Sequence, residues 1–439
     1  MKKDPLAILI VMFVIAAAGA KLWFAAHLDL HYDEAYYWHE AWHPAFGFST
    51  GPYLRSLLSR AGLELIGDSA LGLRLMAWLL GSSIPIAVYF LAEPVVGRRD
   101  AIYAAGLTMA VPMLGLMGIV SYEQFLFFAV AGLAAFERAV RTDRMRYWIL
   151  TGLLIGLGLA VHYRMVMVVF ALFVYLVLTA RARAAWRRPG VYVAGAAIFM
   201  LSVPTLIDIF LGDAAAVSFL FFERHPWRFQ PRQLLYPIIQ MLVVTPPLFV
   251  LLAAGLARAV RAARMGNDQA RLLAVFTITI IAIYFPLVTV ADATRLNIHW
   301  VLPAYVPLLV FAPALLRRFR REGQALVPGW LNRPIALLTP GLGIAIVLSA
   351  FAGLAILSGP TERMPERLLR QTSIEFMGWS GFVTAAERFY RAFPGEPPIV
   401  VASDYRVGAQ FAFGIGLRQD VYVLDLSGRN DRDKVGVQY

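Results

Sequence analysis

PLAILIVMFVIAAAGAKLWFAAHLDLHYDEAYYWHE, residues 5–40, contains the two features from which the rest of the chain can be read. Residues 6–26 are an apolar run long enough to cross a hydrocarbon core of about 30 Å as a helix. Asp29 through His39 follow at once, dense in carboxylates, imidazoles and aromatic rings. Lys2, Lys3 and the small residues Ala17-Ala18-Gly19-Ala20 imitate a cleavable leader. The run continues through Trp23-Phe24 into the polar cluster, so it is read as a retained first span.

Outward from this stretch the pattern repeats. The 439 residues are 59% hydrophobic and 15% charged, with a mean hydropathy of +0.65, which excludes an aqueous globular enzyme. Eleven apolar runs are predicted as spans, at about 6–26, 70–92, 101–119, 123–140, 147–161, 165–180, 190–211, 234–257, 272–291, 300–315 and 334–357. A net charge of +12 raises nucleic-acid binding as a question, but the basic residues sit between apolar runs and form no patch. With no cysteine in the chain, disulfides, thiolate nucleophiles and Cys-ligated metals are excluded together.

The arginines alternate by loop. Arg98 and Arg99, Arg138 to Arg146, Arg181 to Arg188, Arg258 to Arg271 and Arg317 to Arg333 fall in one set with Lys2 and Lys3. The opposite loops hold far fewer, so the N-terminus is expected in the cytoplasm and the C-terminus outside. The expected location is a bacterial inner membrane, crossed many times. On the outer side a long loop, 27–68, includes an amphipathic stretch from Tyr53 to Arg60 suited to the membrane interface. After the last run, 398–403 reads as a strand, 405–413 as a helix and 421–426 as a strand. The expected fold is an all-α polytopic membrane protein, with 1–358 as its membrane domain and 359–439 as a small extracytoplasmic α/β domain. Gly152 and Gly156 form a GxxxG spacing whose expected role is close helix packing.

Ionisable residues gather at the outer membrane level. Asp33 and Glu34 lie among Tyr36, Tyr37 and Trp38, and Glu123 stands at the mouth of the fourth run. His162, Tyr163 and Arg164, then Arg224, then Arg295, Asn297 and His299 share that level. Individually each is explained by an acidic turn, a helix N-terminus or an interfacial anchor. Together they supply a base for an acceptor hydroxyl and cations for a departing phosphate, the needs of glycosyl transfer from a lipid-phosphate sugar.

At these residues the chain resembles the membrane glycosyltransferases typified by dolichyl-phosphate-mannose protein mannosyltransferases and the bacterial lipid A aminoarabinose transferases. The resemblance is carried by Asp33-Glu34-Ala35-Tyr36-Tyr37-Trp38, Gly67 to Leu75, Tyr147-Trp148 through Gly158, His299 to Tyr305 and Ser403 to Gly408. It implies a GT-C fold and an inverting transferase with Asp33 as general base and Glu34 beside it. Three departures stand out. Ser49-Thr50-Gly51-Pro52 replaces a basic residue followed by two prolines, Glu123 replaces an Asp, and His162 replaces a Lys.

The expected activity is transfer of a sugar from a polyprenyl-phosphate carrier to a lipid A, core saccharide or other cell-envelope acceptor. Asp33, Glu34 and Glu123 are the expected catalytic carboxylates. His162, Arg164, Arg224, Arg295 and His299 are expected on the donor phosphate, and Tyr36, Tyr37, Tyr163 and Asn297 on substrate. His31, Asp33 and Glu34 are of metal-ligating types, but their spacing matches no recognised set and arginines can hold a phosphate. A metal-free reaction is expected, with a divalent cation as the alternative. The rival activity is a transporter or flippase of lipid-linked sugars, which calls for ionisable residues near the midplane of several helices.

Overall fold

The computed structural model describes residues 4–48, 51–121, 124–211, 225, 227–291, 297–322, 329–358, 379–395, 398–418 and 421–423. Helix α1, Pro5–His27, starts where Asp4 accepts the Ala7 N–H and Pro5 occupies the first turn, where a missing N–H costs nothing. Its Leu6, Leu9, Met12 and Ile15 face outward, a surface suited to lipid. Helix α2, Tyr32–Trp42, follows, then a hairpin of β1, Gly47–Phe48, and β2, Gly51–Pro52, and then α3, Leu54–Ile66. In α3 the polar stripe of Arg55, Ser56 and Ser59 is buried while Leu57, Leu65 and Ile66 face out. That is the expected arrangement of a helix lying against lipid with its polar side on the protein.

Helix lies in every one of the eleven predicted runs, but not every run is one straight helix. Among the described residues, seven helices are long and apolar enough to cross a membrane, or eight if a bent pair counts as one span. The run 101–119 breaks into α5, Arg98–Leu107, a 3-10 turn and α6, Pro112–Leu116, because Pro112 cannot continue the helix before it. Helix α4, Ala70–Val96, and α7, Phe125–Thr142, run alongside; α7 carries Glu137, Arg138 and Arg141 in its last turns. Helix α8, Met145–Val161, is one turn short of a typical span. Helix α9, Met165–Leu178, bends by 98° into the segment that opens with α10, Ala180–Arg183.

Helix α11, Pro189–Leu211, packs on α8, and the glycines explain how closely. A Cβ at 152 would stand 2.6 Å from the Ala194 carbonyl oxygen, and one at 156 would stand 2.8 Å from a Leu201 methyl. The run 234–257 is split into α12, Tyr236–Val244, and α13, Pro246–Arg264, at Thr245, whose φ is 78°. Helix α14, Asp268–Ala291, is followed by α15, Leu302–Tyr305, a 3-10 stretch and α16, Ala312–Glu322. The stretch from Leu302 to Phe319 is the most buried of the spans and forms the centre of the apolar core. Helix α17, Gly329–Leu357, ends the membrane-spanning part.

Beyond it come α18, Trp379–Ala392, β3, Val401–Ala402, α19, Tyr405–Ile415, and β4, Tyr422–Val423. β3 and β4 pair in parallel, Val401 with Tyr422 and Ala402 with Val423, across α19.

The arginine-rich ends meet at one end of the bundle. Arg99 pairs with Asp4, Arg317 with Asp100, Arg138 with Glu93, Arg188 with Asp143 and Arg181 with Asp268. The Asp33 segment lies at the other end, beyond the C-terminus of α1.

Candidate active site

The chain turns from α1 into α2 at Leu28–His31. The turn is held by a reciprocal cap: His31 Nδ1 accepts the Asp33 N–H at 3.1 Å, and Glu34 Oε2 accepts the His31 N–H at 3.1 Å. Glu34 does more than cap. Arg74, from the second turn of α4, donates from Nε to Glu34 Oε1 at 3.0 Å and from Nη2 to Oε2 at 2.6 Å. The Ser121 N–H adds a bond to Oε1 at 2.8 Å. Glu34 thus accepts about as many bonds as an ionised carboxylate can.

Arg74 is equally committed. Its remaining N–H groups donate to the carbonyls of Ala25 at 3.0 Å, Leu28 at 2.9 Å and Asp29 at 2.9 Å. Both side chains are fully buried. Burial alone would raise the Glu34 carboxyl; the Arg74 charge and the converging N–H groups outweigh it and hold the carboxyl below its ordinary value. One buried pair therefore ties the end of α1, the start of α2, α4 and the segment leading to α7.

Asp33, one residue earlier, is half-buried and faces different company. Its Oδ1 accepts the Tyr405 hydroxyl at 3.2 Å, from α19. Tyr36 and Tyr37 are buried on the same helix, and the Arg55 guanidinium lies 4.0 Å over the Tyr37 ring. Arg55 also pairs with Glu40 at 3.5 Å, both buried. Burial, with Arg55 opposing and Asp33 and Glu40 adding, pushes the Tyr37 phenol up.

The turn between α8 and α9 carries His162, Tyr163 and Arg164. The Arg164 N–H donates to His162 Nδ1 at 3.1 Å, and both side chains lie on Phe125, with ring centroids 5.3 Å apart for His162 and the guanidinium 4.9 Å from the ring centre. Phe125 opens α7, four residues after Ser121, so a single short segment joins the carboxylate half of the site to the cationic half. Tyr163 lies within electrostatic range of Arg55, Glu40 and Asp208; burial, then Asp208, pushes its phenol up. Its hydroxyl is buried with no hydrogen-bond partner among the described residues.

The third group is Asn297 through Trp300. The Tyr236 hydroxyl donates to the Asn297 carbonyl at 3.0 Å, and Gln240 Nε2 to the Ile298 carbonyl at 2.9 Å, while Tyr305 donates to Gln240 Oε1 at 3.0 Å. Trp300 packs edge-on to His225 and against Tyr284. His299 is half-buried in this turn. Asn297 has a φ of 43° and a buried Nδ2 with no hydrogen-bond partner among the described residues. Arg164 acts electrostatically on Tyr236, which links this group to the α8–α9 turn.

Asp33, Glu34, Tyr36, Tyr37, His162, Tyr163, Arg164, Asn297 and His299 thus form a connected series at one end of the bundle. Glu123, Arg224 and Arg295 lie outside the described residues. Sequence reading passed over Arg74, Arg55, Glu40 and Tyr405. Arg74 carried a usable signal, since an arginine inside an apolar run needs a partner. Tyr405 carried only its place in the Ser403 to Gly408 stretch, which points to no partner. Among the described residues no three His, Asp or Glu side chains gather where a metal ion could be held. His31 Nδ1 and the Glu34 oxygens are already engaged in the cap and the Arg74 pair.

This architecture, an Asp-Glu helix closing the first span of a broken-helix bundle, is that of the GT-C fold. Residues 50–207 match the family described as dolichyl-phosphate-mannose-protein mannosyltransferase. The fold is similar to that of ArnT from Cupriavidus metallidurans in the apo state, with a TM-score of 0.65 at 15% identity over 96% of this chain and 86% of that one. It is also similar to the apo oligosaccharyltransferase of Archaeoglobus fulgidus, with a TM-score of 0.53 at 13% identity over 92% of this chain and 63% of that one. Curated protein sequences give no match.

Proposed function

We propose that the chain transfers a sugar from a polyprenyl-phosphate carrier to a hydroxyl of a lipid A, core saccharide or other envelope acceptor, on the outer face of a bacterial inner membrane. The observation that carries this reading is the contrast between the two adjacent carboxylates. Glu34 is sealed by Arg74, whereas Asp33 stays half-buried on the same helix, and the Ser121 that bonds Glu34 lies four residues before Phe125, on which His162 and Arg164 pack. The matched family's description, which names a lipid-phosphate-linked mannose donor, supports the donor class.

In this mechanism Asp33 takes the proton from the acceptor hydroxyl as its oxygen attacks the anomeric carbon. The bond from that carbon to the phosphate oxygen breaks in the same displacement, and configuration inverts. Arg164 and His162 stabilise the charge left on the lipid phosphate, with His299, Arg224 and Arg295 assigned to the same task. Tyr163 and Asn297 offer polar groups to the sugar or phosphate. Glu34 is a positioning residue, because its lone pairs are taken. Glu123 remains a candidate carboxylate. The reaction is assigned to these cations without a metal.

A transporter would distribute ionisable groups through the membrane midplane. The buried charges Glu34, Arg74, Glu40 and Arg55 instead collect at one end; Lys21 of α1, donating to the Leu114 carbonyl at 3.4 Å, lies deeper. Asp33→Asn, inserted and folded, is expected to lose about 10²-fold or more in transfer rate. Arg164→Ala is expected to lose use of the lipid donor. The assay supplies host envelope lipid extract as the source of both substrates and reads new glycolipid by mass spectrometry. Near-wild-type turnover of Asp33→Asn would end the assignment.

A further inference from the structure

The C-terminal segment makes contacts that a simple appendage would not need. Gln410, buried in α19, donates to the Leu30 carbonyl at 2.6 Å, one residue before the cap of α2. Asp29 Oδ2 accepts the Trp379 and Ser380 N–H groups at 3.2 and 3.4 Å, at the start of α18. Phe413 meets Trp38 edge-on with ring centroids 5.8 Å apart, and Ala402, Ala409, Ala412 and Val421 complete one apolar cluster with Ala35, Tyr36 and Leu73.

This docking delivers one polar atom to the carboxylate assigned as base. The Tyr405 ring, 6% exposed, stands edge-on to Tyr32 at 6.0 Å and to Tyr36 at 6.4 Å, so its position is fixed from two sides. Its hydroxyl donates to Asp33 Oδ1. Behind it, the Arg406 guanidinium is clamped to Asp404 at 2.6 Å and lies over Tyr32 at 5.5 Å, which braces the first turn of α19.

We propose that Tyr405 is a positioning residue of the active site: holding one oxygen of Asp33 turns the other toward the acceptor hydroxyl. The C-terminal segment therefore completes the site. This rests on the reading of Asp33 as general base. A hydroxyl donated to one carboxylate oxygen restricts the rotation of the group. Tyr405 thus keeps Asp33 aimed. The other charged and titratable groups around Asp33 are His31, Tyr32, Glu34, Tyr36 and Tyr37 on its own segment. Arg74 approaches from α4, Arg55 from α3 by way of Tyr37 and Glu40, and Asp404 and Arg406 from α19.

The test compares Tyr405→Phe, which keeps the ring, with Tyr405→Ala and Asp33→Asn in the purified full-length chain. In Tyr405→Phe, transfer from host lipid extract is expected to fall about tenfold in kcat with little change in KM. An unchanged kcat in Tyr405→Phe, with Tyr405→Ala impaired, would reduce Tyr405 to a packing residue and overturn the proposal. Full activity in Asp33→Asn would instead overturn the assignment of the base on which it rests.

Discussion

Glu34 and Arg74 are buried together, and every N–H of the guanidinium reaches an acceptor. Such a pair adds little over an apolar pair of the same shape, but losing one partner strands a charge. Arg74→Met is therefore expected to destabilise the chain by about 3–5 kcal/mol, and the double change Arg74→Met with Glu34→Leu by clearly less. Thermal unfolding in detergent measures both. The pH dependence has a defined sign. The folded Glu34 carboxyl titrates below its ordinary value of 4.5, so its contribution is complete above that value and is lost as pH falls through the lower folded one. Wild-type stability is expected to drop on the acid side, and the double variant to lack that share of the drop.

Helices α8 and α11 touch through backbone where Gly152 lies, and a carbonyl oxygen cannot move aside as a flexible side chain can. Gly152→Val is expected to cost about 1–3 kcal/mol by overpacking, read as a lower melting temperature and less monodisperse protein. Gly195→Ala, where an added methyl would meet nothing within 4 Å, is the matched control and is expected to leave stability unchanged or slightly raised. The breaks in the other helices follow the same local logic. Pro112 ends the 3-10 turn after α5, and Pro246-Pro247 follows the left-handed Thr245. These interruptions turn predicted straight spans into shorter helices.

At the scale of the whole molecule, the ion pairs that join Asp4, Asp100, Glu93, Asp143 and Asp268 to arginines collect at the end opposite Asp33. Arginine-rich loops stay on the cytoplasmic side. A reporter fused after Tyr439 is accordingly expected to be active only outside the cytoplasm, and one inserted near Arg318 only inside. The reverse pattern would place Asp33 and its cations in the cytoplasm and remove the argument for a lipid-carried donor.

The membrane class and the eleven helical runs were legible in the sequence, because hydropathy sums depend on neighbours along the chain. Gly152 was legible for the same reason: its spacing to Gly156 already implies a close helix contact. The tertiary structure alone decided which of two adjacent carboxylates is sealed. That depends on Arg74, forty residues on, and on Ser121, 87 residues on, since a buried polar group is satisfied by whatever packing brings to it. It decided as well that Tyr405, 372 residues away, reaches Asp33, for no local pattern records which distant hydroxyl will fold against a given oxygen.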